Sequence, residues 1–132
     1  TALCAMIVGT DLYVANLGDC RAVLLDLGCE PVAVPLSRDH KPSLADEHAR
    51  IKAAGSSVSY QEMFISKKRT YRVEGSMAVS RALGNYSFKP PTRHGWIITN
   101  GCECSHIPLG DASKAVVLAC DGLWDVLTNL EA

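Results

Sequence analysis

The chain has 132 residues, 48% of them hydrophobic and 20% charged, with a formal net charge of -1. Those values describe one soluble globular domain or part of one. They leave no electrostatic footprint for nucleic acid or an acidic membrane surface, and no apolar run approaches the ~20 residues that span a bilayer.

The apolar run from Ala2 to Val8 reads as a strand, and Gly9-Thr10-Asp11 supplies turn residues before Leu12-Tyr13-Val14-Ala15 resumes one. So short a link predicts an antiparallel hairpin. Asn16-Leu17-Gly18-Asp19 breaks the pattern, Ala22 to Leu25 makes a third strand, and Asp26-Leu27-Gly28 turns into a fourth over Pro31 to Leu36. Turns in such close succession predict a meander within one antiparallel sheet. Asp19 ends a strand two residues before Arg21. It is either a turn acid with a local ion pair or a carboxylate for a metal site.

Ser37 to Pro42 is polar and turn-like. Ser43 then caps a predicted helix through about Ala54 that Gly55 closes, with Asp46 and Glu47 early and Arg50 and Lys52 late, as the helix dipole favours. Such a helix covers a sheet face and carries no evident chemistry. Ser56 to Arg72 is polar, and its basic run Lys67-Lys68-Arg69 reads as a solvated hairpin or loop. Gly75 to Gly84 permits a helical turn or an extended piece, and Pro90-Pro91 ends any regular element nearby. Trp96 to Thr99 reads as a strand, and Asn100 to Lys114 as irregular chain.

The most informative stretch runs from Ala115 to Asp125. Its uncharged apolar run reads as a strand buried on both faces, stopping at Asp121-Gly122. A helix starting there sets Asp121 and Asp125 one turn apart on one face. Two such acids are either a turn residue and an exposed helix acid, or ligands for a hard divalent cation, which prefers oxygen donors. Thr128 and Glu131 have the spacing of a capping box, announcing a further helix. With no initial Met and that box at its end, the chain reads as a fragment of a larger domain.

The six cysteines, Cys4, Cys20, Cys29, Cys102, Cys104 and Cys120, make no C-x-x-C pair, and the four histidines lack ligand spacing. Cys4 and Cys120 sit in apolar runs as small buried hydrophobes do. Reduced thiols point to a cytoplasmic or nuclear protein.

Taken in series, these segments resemble the metal-dependent type 2C serine/threonine protein phosphatases. The matching stretches are Leu12 to Leu24, Leu36 to Pro42, Glu47 to Gly55, Arg72 to Gly75, Ala78 to Gly84 and Leu118 to Val126, in the family's order across nearly the whole chain. The resemblance implies an α+β fold, part of a four-layer α-β-β-α sandwich with two central antiparallel sheets. Residues 1–132 would be the central portion of a single catalytic domain, truncated at both ends. It implies hydrolysis of phosphoserine or phosphothreonine in phosphoprotein substrates by a water bridging Mn2+ or Mg2+, with two and in some members three ions per complete domain. By match to the family's motifs, Asp121 corresponds to a metal-bridging aspartate. Asp19 and Asp125 correspond to acids at a third, weaker metal position. Ser56 to Arg72 corresponds to a flap involved in substrate choice.

The family's upstream D-G-H-G-G motif, a phosphate-binding arginine and a downstream D-N aspartate are absent from this chain. Cys20, Ser56 and Asn85 replace the usual Ser or Thr, Gly and Asp, away from the metal ligands. The alternative function is a catalytically inactive phosphatase-like module used for binding or regulation. Retention of three acids favours the enzyme, because a scaffold gains nothing from clustered carboxylates.

Overall fold

The computed structural model describes residues 1–62, 64, 67, 69–89 and 95–132. In chain order the elements are β1 (Ala2–Val8), β2 (Asp11–Leu17), β3 (Arg21–Leu27), β4 (Pro31–Pro35), α1 (Ala45–Ala53), β5 (Val58–Glu62), β6 (Arg69–Val73), a 3-10 turn (Tyr86–Phe88), β7 (Glu103–Pro108), β8 (Ser113–Ala119) and α2 (Asp121–Trp124). They fall into two compact units, Thr1–Asp39 with Cys102–Ala132, and His40–Gly101.

The first unit is a sandwich of two antiparallel three-stranded sheets, ordered β1-β2-β7 and β4-β3-β8. Strand alternation builds its core: Leu12 and Val14 of β2 and Ala22 and Leu24 of β3 are buried together with Leu36. Each fully buried Leu or Val contributes about 1.5–3 kcal/mol relative to exposure. On the opposite face of β2, Tyr13 stacks on His106 with ring centroids 4.7 Å apart, and the His106 imidazole meets the Asp11 carboxylate at 2.6 Å. The β1–β2 hairpin forms as expected, with Val8 opposite Asp11 and Gly9 at φ +61 in the first position of a two-residue turn. Asp26 Oδ1 accepts the Gly28 N–H at 3.0 Å, an Asx turn leading into β4.

The expected four-strand meander is two hairpins in different sheets. The chain leaves β2 at Gly18, whose φ of +107 suits only glycine, and a Cβ there would lie 2.1 Å from Thr1 Cγ2. Buried Asn16 fastens the crossing by donating from Nδ2 to the carbonyls of Gly18 (3.3 Å) and Arg38 (2.9 Å). Residues 103–108, expected to be irregular, form β7, antiparallel to β2. The run from Ala115, expected to be buried on both faces, is half-exposed in β8, an edge strand of its sheet among the described residues, and Leu118 is 44% exposed. Cys4 and Cys120 are likewise exposed, on an outward sheet position and beyond a strand end. Half of the capping box is formed: Glu131 Oε2 accepts the Thr128 N–H at 2.9 Å, which holds the Glu131 carboxyl below its ordinary value, while the Glu131 N–H goes to the Thr128 carbonyl.

The second unit holds α1 and the β5–β6 hairpin. Leu44, not Ser43, is the N-cap of α1 and offers no side-chain cap, because the helix starts one residue later than the Ser-based expectation. Ile51, Val73 and Ile98 are fully buried, the last beside Val79 and Ala82. The polar stretch from Ser56 is the β5–β6 hairpin, with Arg69 bonded to Glu62 at 2.9 Å. Lys68 of the basic run and Pro90-Pro91 lie outside the described residues. Trp96 to Thr99 makes no strand, only a parallel bridge from Thr99 to Arg81. The Arg50 guanidinium occupies the Trp96 and Ile97 carbonyls at 3.0 and 3.1 Å.

The helix expected to lack chemistry carries the unit's buried charge. Glu47, 2% exposed, accepts from Arg81 Nη2 at 2.7 Å and Nε at 3.1 Å, and from Arg50 Nη2 at 3.0 Å. Burial alone would raise its pKa, but the bonds from Arg81 and Arg50 outweigh it and hold the carboxyl at about 2. Arg81 also donates to the Gly101 carbonyl at 3.1 Å, and Arg50 to that of Ser80 at 2.8 Å. The cluster therefore ties α1 to the chain on either side of the 3-10 turn.

Candidate functional site

The site is built where β3 and β8 end side by side. Arg21 opposite Ala119 is the terminal rung of their ladder. Asp19 lies two residues before Arg21 and Asp121 two after Ala119, so both acids adjoin the same end of the sheet, outside its ladder. Two acids 102 positions apart in sequence thus stand at one end of a sheet, which no local pattern reveals. Beyond β8 the chain enters α2 at once, and the Asp125 N–H donates to the Asp121 carbonyl at 2.8 Å. That bond closes the helical turn the sequence predicts and puts the two acids one turn apart. Asp19 is half-buried, whereas Asp121 and Asp125 are exposed.

The donors are carboxylates only, which suits a hard divalent cation such as Mg2+ or Mn2+ and disfavours soft ions. Among the described residues, no three His, Cys, Asp or Glu side chains converge into a ready-made cage. The three acids by themselves do not make a complete metal site. Cys102 and Cys104 approach to 4.0 Å, and the hydrogen bond between them raises the Cys104 thiol above its ordinary value.

Four further residues are linked to one another around α2. Arg21 makes a bidentate ion pair with Asp39, Nε to Oδ1 at 2.8 Å and Nη2 to Oδ2 at 2.9 Å, while Nη1 donates to Asn129 Oδ1 at 2.6 Å. The hydrogen bond to Asp39 raises the Arg21 guanidinium above its usual value, opposed in part by burial. Its flat face lies over the Trp124 ring, 5.2 Å from the centroid. Trp124 is buried and donates its indole N–H to the carbonyls of Ala119 (2.9 Å) and Arg21 (3.2 Å). The sequence offered Arg21 as a local ion-pair partner of Asp19 and Trp124 as apolar surface beside Asp121, and it gave no role to Asp39 or Asn129. The partners are 18, 103 and 108 residues away from Arg21, so sequence spacing carries no signal for them.

The sequence matches the family model described as "Protein phosphatase 2C" over residues 1–132. It is 42% identical over 137 residues to a rice protein named "Probable protein phosphatase 2C 55", covering 100% of this chain and 31% of that protein. It is 41% identical over 133 residues to "Protein phosphatase 2C homolog 3" of Schizosaccharomyces pombe, covering 98% of this chain and 28% of the relative. Among solved structures, a serine-threonine phosphatase 2C from Toxoplasma gondii superposes with a TM-score of 0.78 at 25% identity, covering 98% of this chain and 43% of that one. A C. elegans sex-determining protein gives 0.77 at 28% identity, covering 98% and 28%. The chain thus spans roughly a third of the length of these curated relatives.

Proposed function

Because the chain belongs to the protein phosphatase 2C family, we propose that the full-length protein hydrolyses phosphoserine and phosphothreonine in protein substrates. This segment would form the central portion of its single catalytic domain. The observation that carries the reading is that Asp19 and Asp121 adjoin the same end of the β3–β8 ladder, with Asp125 one turn further on. Asp121 would hold the ions at the centre of the reaction, and Asp19 and Asp125 an additional, weaker one.

Two or three Mn2+ or Mg2+ ions, when bound, supply charge that makes a water nucleophilic and offsets the charge of the phosphate. The chain's own part is to present anionic oxygens from rigid positions. Asp19 is fixed by the crossing at Gly18, and Asp121 and Asp125 by the turn pinned through Trp124. The exposure of Asp121 and Asp125 leaves the site open to a substrate as bulky as a phosphorylated peptide. The β5–β6 hairpin, with Arg69 and Lys67 at its tip, is the segment proposed to influence substrate choice. The cysteine spacing, with no C-x-x-C pair, leads us to place its action in the cytoplasm or nucleus.

The test is turnover of phosphoserine and phosphothreonine peptides by the full-length protein. Hydrolysis should require added Mn2+ or Mg2+ and stop with a chelator. Turnover that ignores the chelator would overturn the proposal.

A further inference from the structure

We propose that Arg21 is a positioning residue for the metal-binding acids, holding the Asp121–Asp125 turn against the end of the β3–β8 ladder. The inference rests on the phosphatase reading above and adds a residue whose guanidinium is bonded to Asp39 and Asn129.

Arg21 grips α2 from two sides. Its main-chain carbonyl accepts the Trp124 indole N–H at 3.2 Å, and its guanidinium covers the same ring at 5.2 Å. The second acceptor of that N–H is the carbonyl of Ala119, so Trp124 is bonded to both residues of the terminal rung. Trp124 lies three residues after Asp121 and one before Asp125 in a turn of four residues. A turn that short cannot hold its own orientation, since a first helical turn is costly to form alone. Release of the Trp124 ring would free the turn that carries both acids, and its contacts with Arg21 oppose that release.

The guanidinium is itself immobilised. Each of its three nitrogens is engaged, two by Asp39 and one by Asn129, with the Arg21 side chain 23% and Asp39 13% exposed. Asn129 follows α2, so the same cation also fastens the chain leaving the turn. A guanidinium committed in this way is a brace, not a binder of substrate phosphate.

Charge and positioning predict opposite signs. Arg21→Met removes a cation from the neighbourhood of a cation site, and by charge alone Mn2+ should bind more tightly. Loss of an outer-shell brace instead weakens metal affinity, by roughly tenfold or more. The experiment is electron paramagnetic resonance titration of free Mn2+ against the full-length protein, with circular dichroism reporting the fold. The expected result is loss of affinity in Asp121→Asn and roughly tenfold weaker binding in a folded Arg21→Met variant. Equal or tighter binding by folded Arg21→Met would overturn the inference while leaving the phosphatase reading in place. If that variant does not fold, Trp124→Phe keeps a ring under Arg21 and deletes the N–H. Several-fold weaker binding then supports the brace, and unchanged affinity overturns it. Wild type and Asp121→Asn binding Mn2+ equally would remove the phosphatase reading and this inference together.

Discussion

Neutralising Glu47 should cost the chain stability in a pH-dependent way. The carboxylate is 2% exposed and takes three charge-assisted hydrogen bonds from Arg81 and Arg50. A drop from an ordinary 4.5 to about 2 corresponds to about 3 kcal/mol at neutral pH. Breaking a buried ion pair from one side costs a similar ~3–5 kcal/mol, because the partner cations are left uncompensated. The folded pKa lies below the unfolded one, so this stability is present above about pH 4.5 and is lost as pH falls through about 2. Glu47→Gln keeps the shape and removes the charge. Urea denaturation of wild type and variant should differ by about 3 kcal/mol above pH 5, and by roughly half that or less at pH 3. A difference below about 1 kcal/mol at pH 7, or one that does not shrink with acid, would refute the reasoning.

Gly18→Ala should destabilise the chain by about 1–3 kcal/mol, since φ +107 strains any L side chain and the new methyl meets Thr1. Thermal denaturation checks it, and an unchanged midpoint would mean the crossing is not so constrained. The isolated 132-residue chain should turn over no phosphopeptide and bind Mn2+ weakly, because its described acids do not converge into a cage and magnesium-type ions need near-ideal geometry. Calorimetric titration with a parallel phosphopeptide assay checks both, and brisk metal-dependent turnover by this chain would contradict them.

What could be read from sequence depended on how local the determinant was. The β1–β2 hairpin was legible because its two-residue turn lies between two apolar runs. The sheet change after β2 was not, because a turn within a sheet and a crossing between sheets use the same residues. Strand β7 escaped because two of its inward positions are polar: Glu103 pairs with Arg38 at 2.6 Å, and Ser105 donates to the Leu36 carbonyl at 2.6 Å. Its alternation therefore does not show as apolar against polar. Trp96 to Thr99 has strand composition, but the Arg50 guanidinium takes two of its carbonyls. At the site, the Asp121–Asp125 turn followed from spacing. Placing Asp19 at the same sheet end as Asp121 required the β3–β8 pairing, and the grip of Arg21 on Trp124 required the tertiary structure.

The central claim is that Asp121 anchors a metal-dependent phosphatase centre at the end of the β3–β8 ladder. Asp121→Asn in the full-length protein tests it most directly, because the change removes one charge at almost constant volume. Phosphopeptide turnover at saturating Mn2+ should fall by roughly a hundredfold or more, with the fold intact by circular dichroism. Turnover within about threefold of wild type would contradict the account and exclude Asp121 as a ligand.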